Sequence, residues 1–183
     1  MKNLVLATIF AFLVIGCSST NSVLSLPAYE AKGINVTPGA NIIINSITDK
    51  RKNTSVIATI SDSKGTVDEY VTLGGDLTKW FGESLQKELL KSGASLGGGD
   101  DAKVVDIAIT ELKANLSGYT KDNMKGNCEI YIKIYRDGMT ITKRISQPQT
   151  QFAPIHTAGA FDPFVKEILD DMVRRTAKAI LIN

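Results

Sequence analysis

The stretch Val104-Val105-Asp106-Ile107-Ala108-Ile109-Thr110-Glu111-Leu112-Lys113-Ala114-Asn115-Leu116 sets the fold class. Val105, Ile107 and Ile109 share one parity while Asp106, Ala108 and Thr110 share the other, the period-two pattern of a half-buried strand. Downstream, a polar loop from Gly118 to Asn127 leads to a second such pattern. Cys128, Ile130, Ile132 and Ile134 line one face, and Glu129, Tyr131, Lys133 and Tyr135 line the other. Asp137-Gly138 is a hairpin turn signal, so the next strand, Met139 to Ser146, returns antiparallel. A further edge strand is predicted over Gln149 to Ala153, ended by Pro154.

An apolar sheet face needs a cover, and two helices are available for it. Asp76 reads as an N-cap, and Leu77, Trp80, Phe81, Leu85 and Leu89 form one helical stripe, with Gly93 where a helix end favours positive φ. Asp162-Pro163 reads as an N-cap followed by a proline at the first helical position. Phe164, Val165, Ile168, Leu169, Met172, Val173, Ala177 and Ile180 then recur at helical spacing. Upstream, the β-branched run Asn41 to Thr48 predicts a buried strand ending at the polar Asp49-Lys50-Arg51-Lys52-Asn53 turn. Val56 to Ser61 and a brief Tyr70 to Leu73 strand follow. The expected fold is an α+β two-layer sandwich, a mainly antiparallel sheet with two helices packed on one face.

The N-terminus carries a different kind of signal. Met1-Lys2-Asn3 is a short basic head, Leu4 to Ile15 an apolar run too short to span a bilayer, and Gly16 a small residue at a cleavage point. Leu13-Val14-Ile15-Gly16-Cys17 is a bacterial lipobox, in which Cys17 becomes a diacylglyceryl thioether and its freed amine is acylated. The division expected is a lipoprotein signal peptide over 1–16, a lipidated Cys17 with a flexible tether over 17–40, and one α+β domain over 41–183. As a coil, the tether would hold the domain about 25 to 30 Å from the membrane. Tyr29 to Val36 can alternatively lie against the domain. Ser18 after the cysteine favours the outer membrane.

Cleavage before Cys17 removes 16 of the 183 residues and leaves 167, with 20 basic and 19 acidic side chains. That balance, without a basic block, argues against a nucleic-acid partner. With Cys17 lipidated, Cys128 is the one remaining cysteine, read as a small core hydrophobe.

Catalytic signals are sparse. His156 is the only histidine and has no cysteine or histidine cluster to join as a metal site, and no G-x-S-x-G turn occurs. Gly97-Gly98-Gly99 lacks a G-K-[ST] ending and precedes Asp100-Asp101, so it reads as a turn. Glu167, Asp170 and Asp171 lie opposite an apolar stripe and read as a solvated helix face. No catalytic residue and no metal ligand is expected, nor any cofactor beyond the lipid on Cys17. The candidate partner contacts are Asp49 and Arg51 at a strand exit, where tying down the loop is the competing role, and Tyr131 and Tyr135 on a strand's outer face.

In order along the chain, the strand leading into Asp49-Lys50-Arg51, the Asp76-Leu77 helix start with Leu85 and Leu89, Val105 through Asn115, and Gly159-Ala160-Phe161 resemble the YajG-like bacterial lipoproteins. The resemblance implies an outer-membrane lipoprotein facing the periplasm, with an α+β domain and no catalytic residues to carry over. The polar tether and the Gly-rich turn depart from that pattern. The functional expectation is a non-enzymatic binding or accessory domain for envelope assembly or transport, held by its lipid and engaging a protein partner. A surface-displayed adhesin or antigen and a lipid or small-ligand carrier are the alternatives.

Overall fold

The structure, a computed structural model, describes residues 20–36, 39–99 and 101–183. Gly16 and Cys17 lie outside the described residues. Among the described residues eight strands and two helices follow one another as β1 (Thr20–Leu24), β2 (Asn41–Asp49), β3 (Val56–Ser61), β4 (Val67–Leu73), α1 (Leu77–Lys91), β5 (Ser95–Leu96), β6 (Lys103–Ser117), β7 (Met124–Arg136), β8 (Met139–Gln151) and α2 (Phe161–Ile182).

β6 is the spine. On one side it pairs antiparallel with β7 along nearly its whole length, and β7 pairs antiparallel with β8. On its other side two shorter strands share it end to end, β2 parallel along the first half and β3 parallel along the last four residues. β4 returns antiparallel to β3, and β1 adds parallel to β4. The sheet is thus antiparallel along its longest ladders and parallel where the short strands join.

Simple alternation would turn the second half of β6 outward, because its apolar residues change parity at Leu112. A bulge at Thr110 corrects this. Val105, Ile107 and Ile109 before it, and Leu112, Ala114 and Leu116 after it, all face the helices and are buried. They stand beside Ile134, Ile132 and Ile130, then Cys128, Gly126 and Met124, of β7. A matching bulge at Asn45 keeps β2 in step.

Both helices cover this face. Phe81, Leu85 and Leu89 of α1, and Phe164, Ile168, Leu169, Met172 and Val173 of α2, have no exposed surface, each such burial contributing about 1.5 to 3 kcal/mol. α2 approaches so closely that a Cβ on Gly126 would meet Phe164 Cε1 at 2.6 Å. Asp76 caps α1 as expected, accepting from the amides of Thr78 and Lys79 at 2.8 and 3.1 Å, and Gly93 ends it at φ 85°. The C-terminal carbonyls of α2 are met by the sheet: Lys103 Nζ donates to Ile180 O and Leu181 O, each at 3.0 Å.

Four expectations need correction. Residues 20–36 are not a free tether: Thr20–Leu24 is a strand, and the segment after it is strapped across α1, as the alternative for Tyr29 to Val36 had it. β7 begins at Met124, because Met124, Lys125, Gly126 and Asn127 pair with Leu116, Asn115, Ala114 and Lys113. β8 runs unbroken through Pro148, which an edge strand tolerates because one side of its backbone has no ladder to complete. Asp162 is not the N-cap of α2, since a 3-10 turn at Ala158–Ala160 starts the helix early at Phe161 and leaves Asp162 in its first turn.

Candidate functional site

Asp49 is the last residue of β2 and stands beside Ile109, on the helix-bearing side of the sheet. Arg51, two residues on, folds back onto it: Nε donates to Oδ1 at 2.9 Å and Nη2 to Oδ2 at 2.7 Å. Nη2 also donates to the carbonyl of Thr54 at 2.8 Å. Burial works to raise the Asp49 carboxyl, but the bonds and charge of Arg51 outweigh it and hold the group below its ordinary range. Arg51 is only 8% exposed, and its guanidinium ties the β2–β3 loop through Asp49 and Thr54.

Tyr131 and Tyr135 lie on the opposite side of the sheet, which no helix among the described residues covers. Tyr131 is 38% exposed and stands between Ala108 of β6 and Arg144 of β8. Tyr135 is half-buried between Val104 and Thr140. Around them the open face is a lattice of paired charges. Arg144 donates to Glu129 from Nε at 2.9 Å, and Thr110 Oγ1 adds a bond to the same carboxylate at 3.0 Å. Asp106 accepts from Ser46 and Asn45, which hold its carboxyl below the usual range, as Arg144 does for Glu129. The four sequence-derived contacts therefore divide, with Asp49 and Arg51 on the covered side and the two tyrosines on the open one.

A shallow depression of about 390 Å³ lies where β3, β6 and β7 meet, lined by Ile57, Ala58 and Ala114 together with Lys113, Lys125, Asn115 and Asn127. Lys113 pairs with Glu111, whose other oxygen accepts from Asn127. The layer between sheet and helices is filled by side chains such as Phe81, Ile107, Ile130 and Phe164, none of them exposed.

His156 sits in the loop after β8, its ring stacked on Tyr119 with centroids 4.2 Å apart and its Nε2 3.2 Å from Asn123 Nδ2. Asn123 locks two loops together, donating to Gly118 O and Ala153 O and accepting from the Ala153 amide at 2.8 Å. Cys128 is free and buried, and burial pushes its thiol up to about 12. Among the described residues no group of three or more His, Cys, Asp and Glu side chains is placed to hold a metal, and no helix is long and apolar enough to cross a membrane.

One cluster escaped the sequence. Glu88 of α1, with no exposed surface, accepts from Tyr29 Oη at 2.9 Å and from the Lys32 amide at 3.0 Å. Ile34 N donates to Ser92 Oγ, and Trp80 Nε1 donates to Pro27 O, both at 2.9 Å. The strap is thereby fixed along α1. The alternative that Tyr29 to Val36 lies against the domain holds, but the segment has no periodicity and its partners on α1 lie more than fifty residues away.

The architecture is shared with solved structures. An uncharacterized protein aligns over 88% of this chain and 99% of its own, with a TM-score of 0.58 at 10% identity. Protein XCC0632 from Xanthomonas campestris, of the DUF330 family, aligns over 88% and 95%, with a TM-score of 0.57 at 10% identity. At that identity the likeness is one of fold alone. A minor lipoprotein from Acinetobacter baumannii aligns over 75% and 93%, with a TM-score of 0.44 at 13% identity, too distant to carry an argument. No protein-family model and no curated protein sequence matches the chain. The YajG-like resemblance therefore rests on its ordered motifs.

Proposed function

We propose that this protein is an outer-membrane lipoprotein whose domain faces the periplasm and serves as a non-enzymatic binding or accessory module for envelope assembly or transport. The observation that carries the proposal is the lipobox ending at Gly16-Cys17. A diacylglyceryl thioether supplies two acyl chains, and two are what stable anchoring takes. Kinship with the YajG-like lipoproteins belongs to the same proposal. It is supported by the ordered motifs and by the elements they form, the Asp76-capped start of α1 and the β6 spine among them.

The non-enzymatic reading is supported by the occupations of the reactive side chains: His156 is engaged by Tyr119 and Asn123, and Cys128 is a buried thiol. The binding reading is supported by the open sheet face with Tyr131 exposed upon it. In vivo photocrosslinking from position 131, with a control on the solvated face of α2, tests it. A discrete protein adduct from 131 alone is expected, and equal or absent adducts from both positions contradict a partner on this face.

A small-ligand carrier is a second reading, favoured by the depression lined by Ile57, Ala58 and Ala114 with Lys113 and Lys125. Native mass spectrometry of the purified domain checks it by retained mass.

A further inference from the structure

The anchor cysteine lies three residues before Thr20, and an extended chain of that length reaches only about 10 Å. Thr20 begins β1 at one pole of the sheet, beside Glu69. The loops at this pole are the Asp62–Thr66 turn, residues 118–123 between β6 and β7, and residues 152–157 after β8. They present three exposed large side chains: Tyr119 at 76%, Phe152 at 50% and Ile155 at 67%. Thr20, Gly118, Tyr119 and His156 line one surface depression, which places the β1 start directly against these loops.

We infer that this pole is a membrane-docking face, seated on the bilayer surface by Tyr119, Phe152 and Ile155. The inference rests on the reading of Cys17 as lipidated. A short tether leaves the pole little distance from the headgroups, and an aromatic with a polar tip beside a phenyl ring and an aliphatic side chain suits the membrane interface. The loops are held for the task by Asn123, buried between them and bonded to both. Charge does not drive the contact. Lys64 and Lys121 are exposed at this pole, but Asp62, Asp68 and Asp122 share it. The fitting partner is therefore a zwitterionic surface and not an anionic patch.

The test uses the full-length protein reconstituted into phosphatidylcholine vesicles, carrying an environment-sensitive fluorophore on Ile155→Cys or, as a control about 40 Å away along β8, on Met139→Cys. Cys128 is buried and stays unlabelled. Flotation reports the anchor and the fluorophore reports the face. The expected result is flotation, with the label at 155 blue-shifted and quenched by spin-labelled lipid while the label at 139 is neither. Flotation with the two labels behaving alike overturns the docking face and leaves the anchor standing. Failure to float overturns the anchor and the face with it. A blue shift at 155 that appears without vesicles and grows with protein concentration assigns the face to a second copy of the chain and equally overturns the proposal.

Discussion

Arg51 holds the β2–β3 loop from inside, and removing it strands the Asp49 carboxylate in a partly buried place. Arg51→Ala should lower unfolding free energy by about 3 kcal/mol, read from urea denaturation, and Arg51→Lys should restore only part of it because an ammonium cannot make the two-point contact. The same pair sets an acid limit. The Asp49 carboxyl is held below its unfolded value, so its contribution is complete above about pH 4 and is lost as pH falls through the folded value. Asp49→Asn should flatten the acid limb of a stability–pH profile and leave its shape above pH 6 unchanged. Cys128 gives a third test. With its thiol pushed up to about 12 by burial, it should resist alkylation at pH 8 until denaturant is added, as followed by intact mass. The burial of Cys128 was legible in the sequence from its parity with Ile130, Ile132 and Ile134. The inward turn of Arg51 was only half legible, because Asp49-Arg51 spacing allows a loop tie or an outward contact, and the choice depends on Thr54 O and the packing around it.

Among the elements, the strap after β1 is held to α1 by side-chain hydrogen bonds and not by a ladder. Tyr29→Ala removes a buried ring and one of the two bonds to the fully buried Glu88, and should cost about 3 kcal/mol or more. Limited proteolysis should then cut within residues 25–36 while the rest of the domain stays protected. Cleavage no faster than in the parent would show that the strap is held elsewhere. The periodic elements, β6, β7, α1 and α2, were readable because half their residues face one apolar layer and the period reports which half. β1 was not, and of the strap only the alternative that Tyr29 to Val36 lies against the domain was, without its partners. Thr20-Asn21-Ser22-Val23-Leu24 has no alternation, since only Leu24 is buried, and its parallel pairing with β4 spans some fifty residues of sequence. Pro148 similarly disguised β8 as two pieces, because sequence alone does not say that the strand is an edge.

At the scale of the molecule, β6 alone spans about 50 Å, and the chain runs along that axis repeatedly. β1 starts at one pole and α2 ends at the other, with Lys103 gripping its last turn. If Cys17 carries the proposed lipid, such a body would stand lengthwise from the membrane and offer the sheet face opposite α1 and α2 sideways. The proposed anchor rests on five residues of sequence, and the distance it would set changes with the structure: a coil of the whole 17–40 segment gives about 25 to 30 Å, and a strand starting at Thr20 leaves about 10 Å. Cys17→Ser should release the protein from the membrane fraction while leaving its thermal unfolding unchanged, since Cys17 precedes the sheet. The most direct test of the central claim is the intact mass of the mature chain extracted from bacterial membranes. The account predicts a protein beginning at Cys17 and carrying diacylglycerol with an added N-acyl chain, and an unmodified Cys17 or a retained 1–16 leader would contradict it.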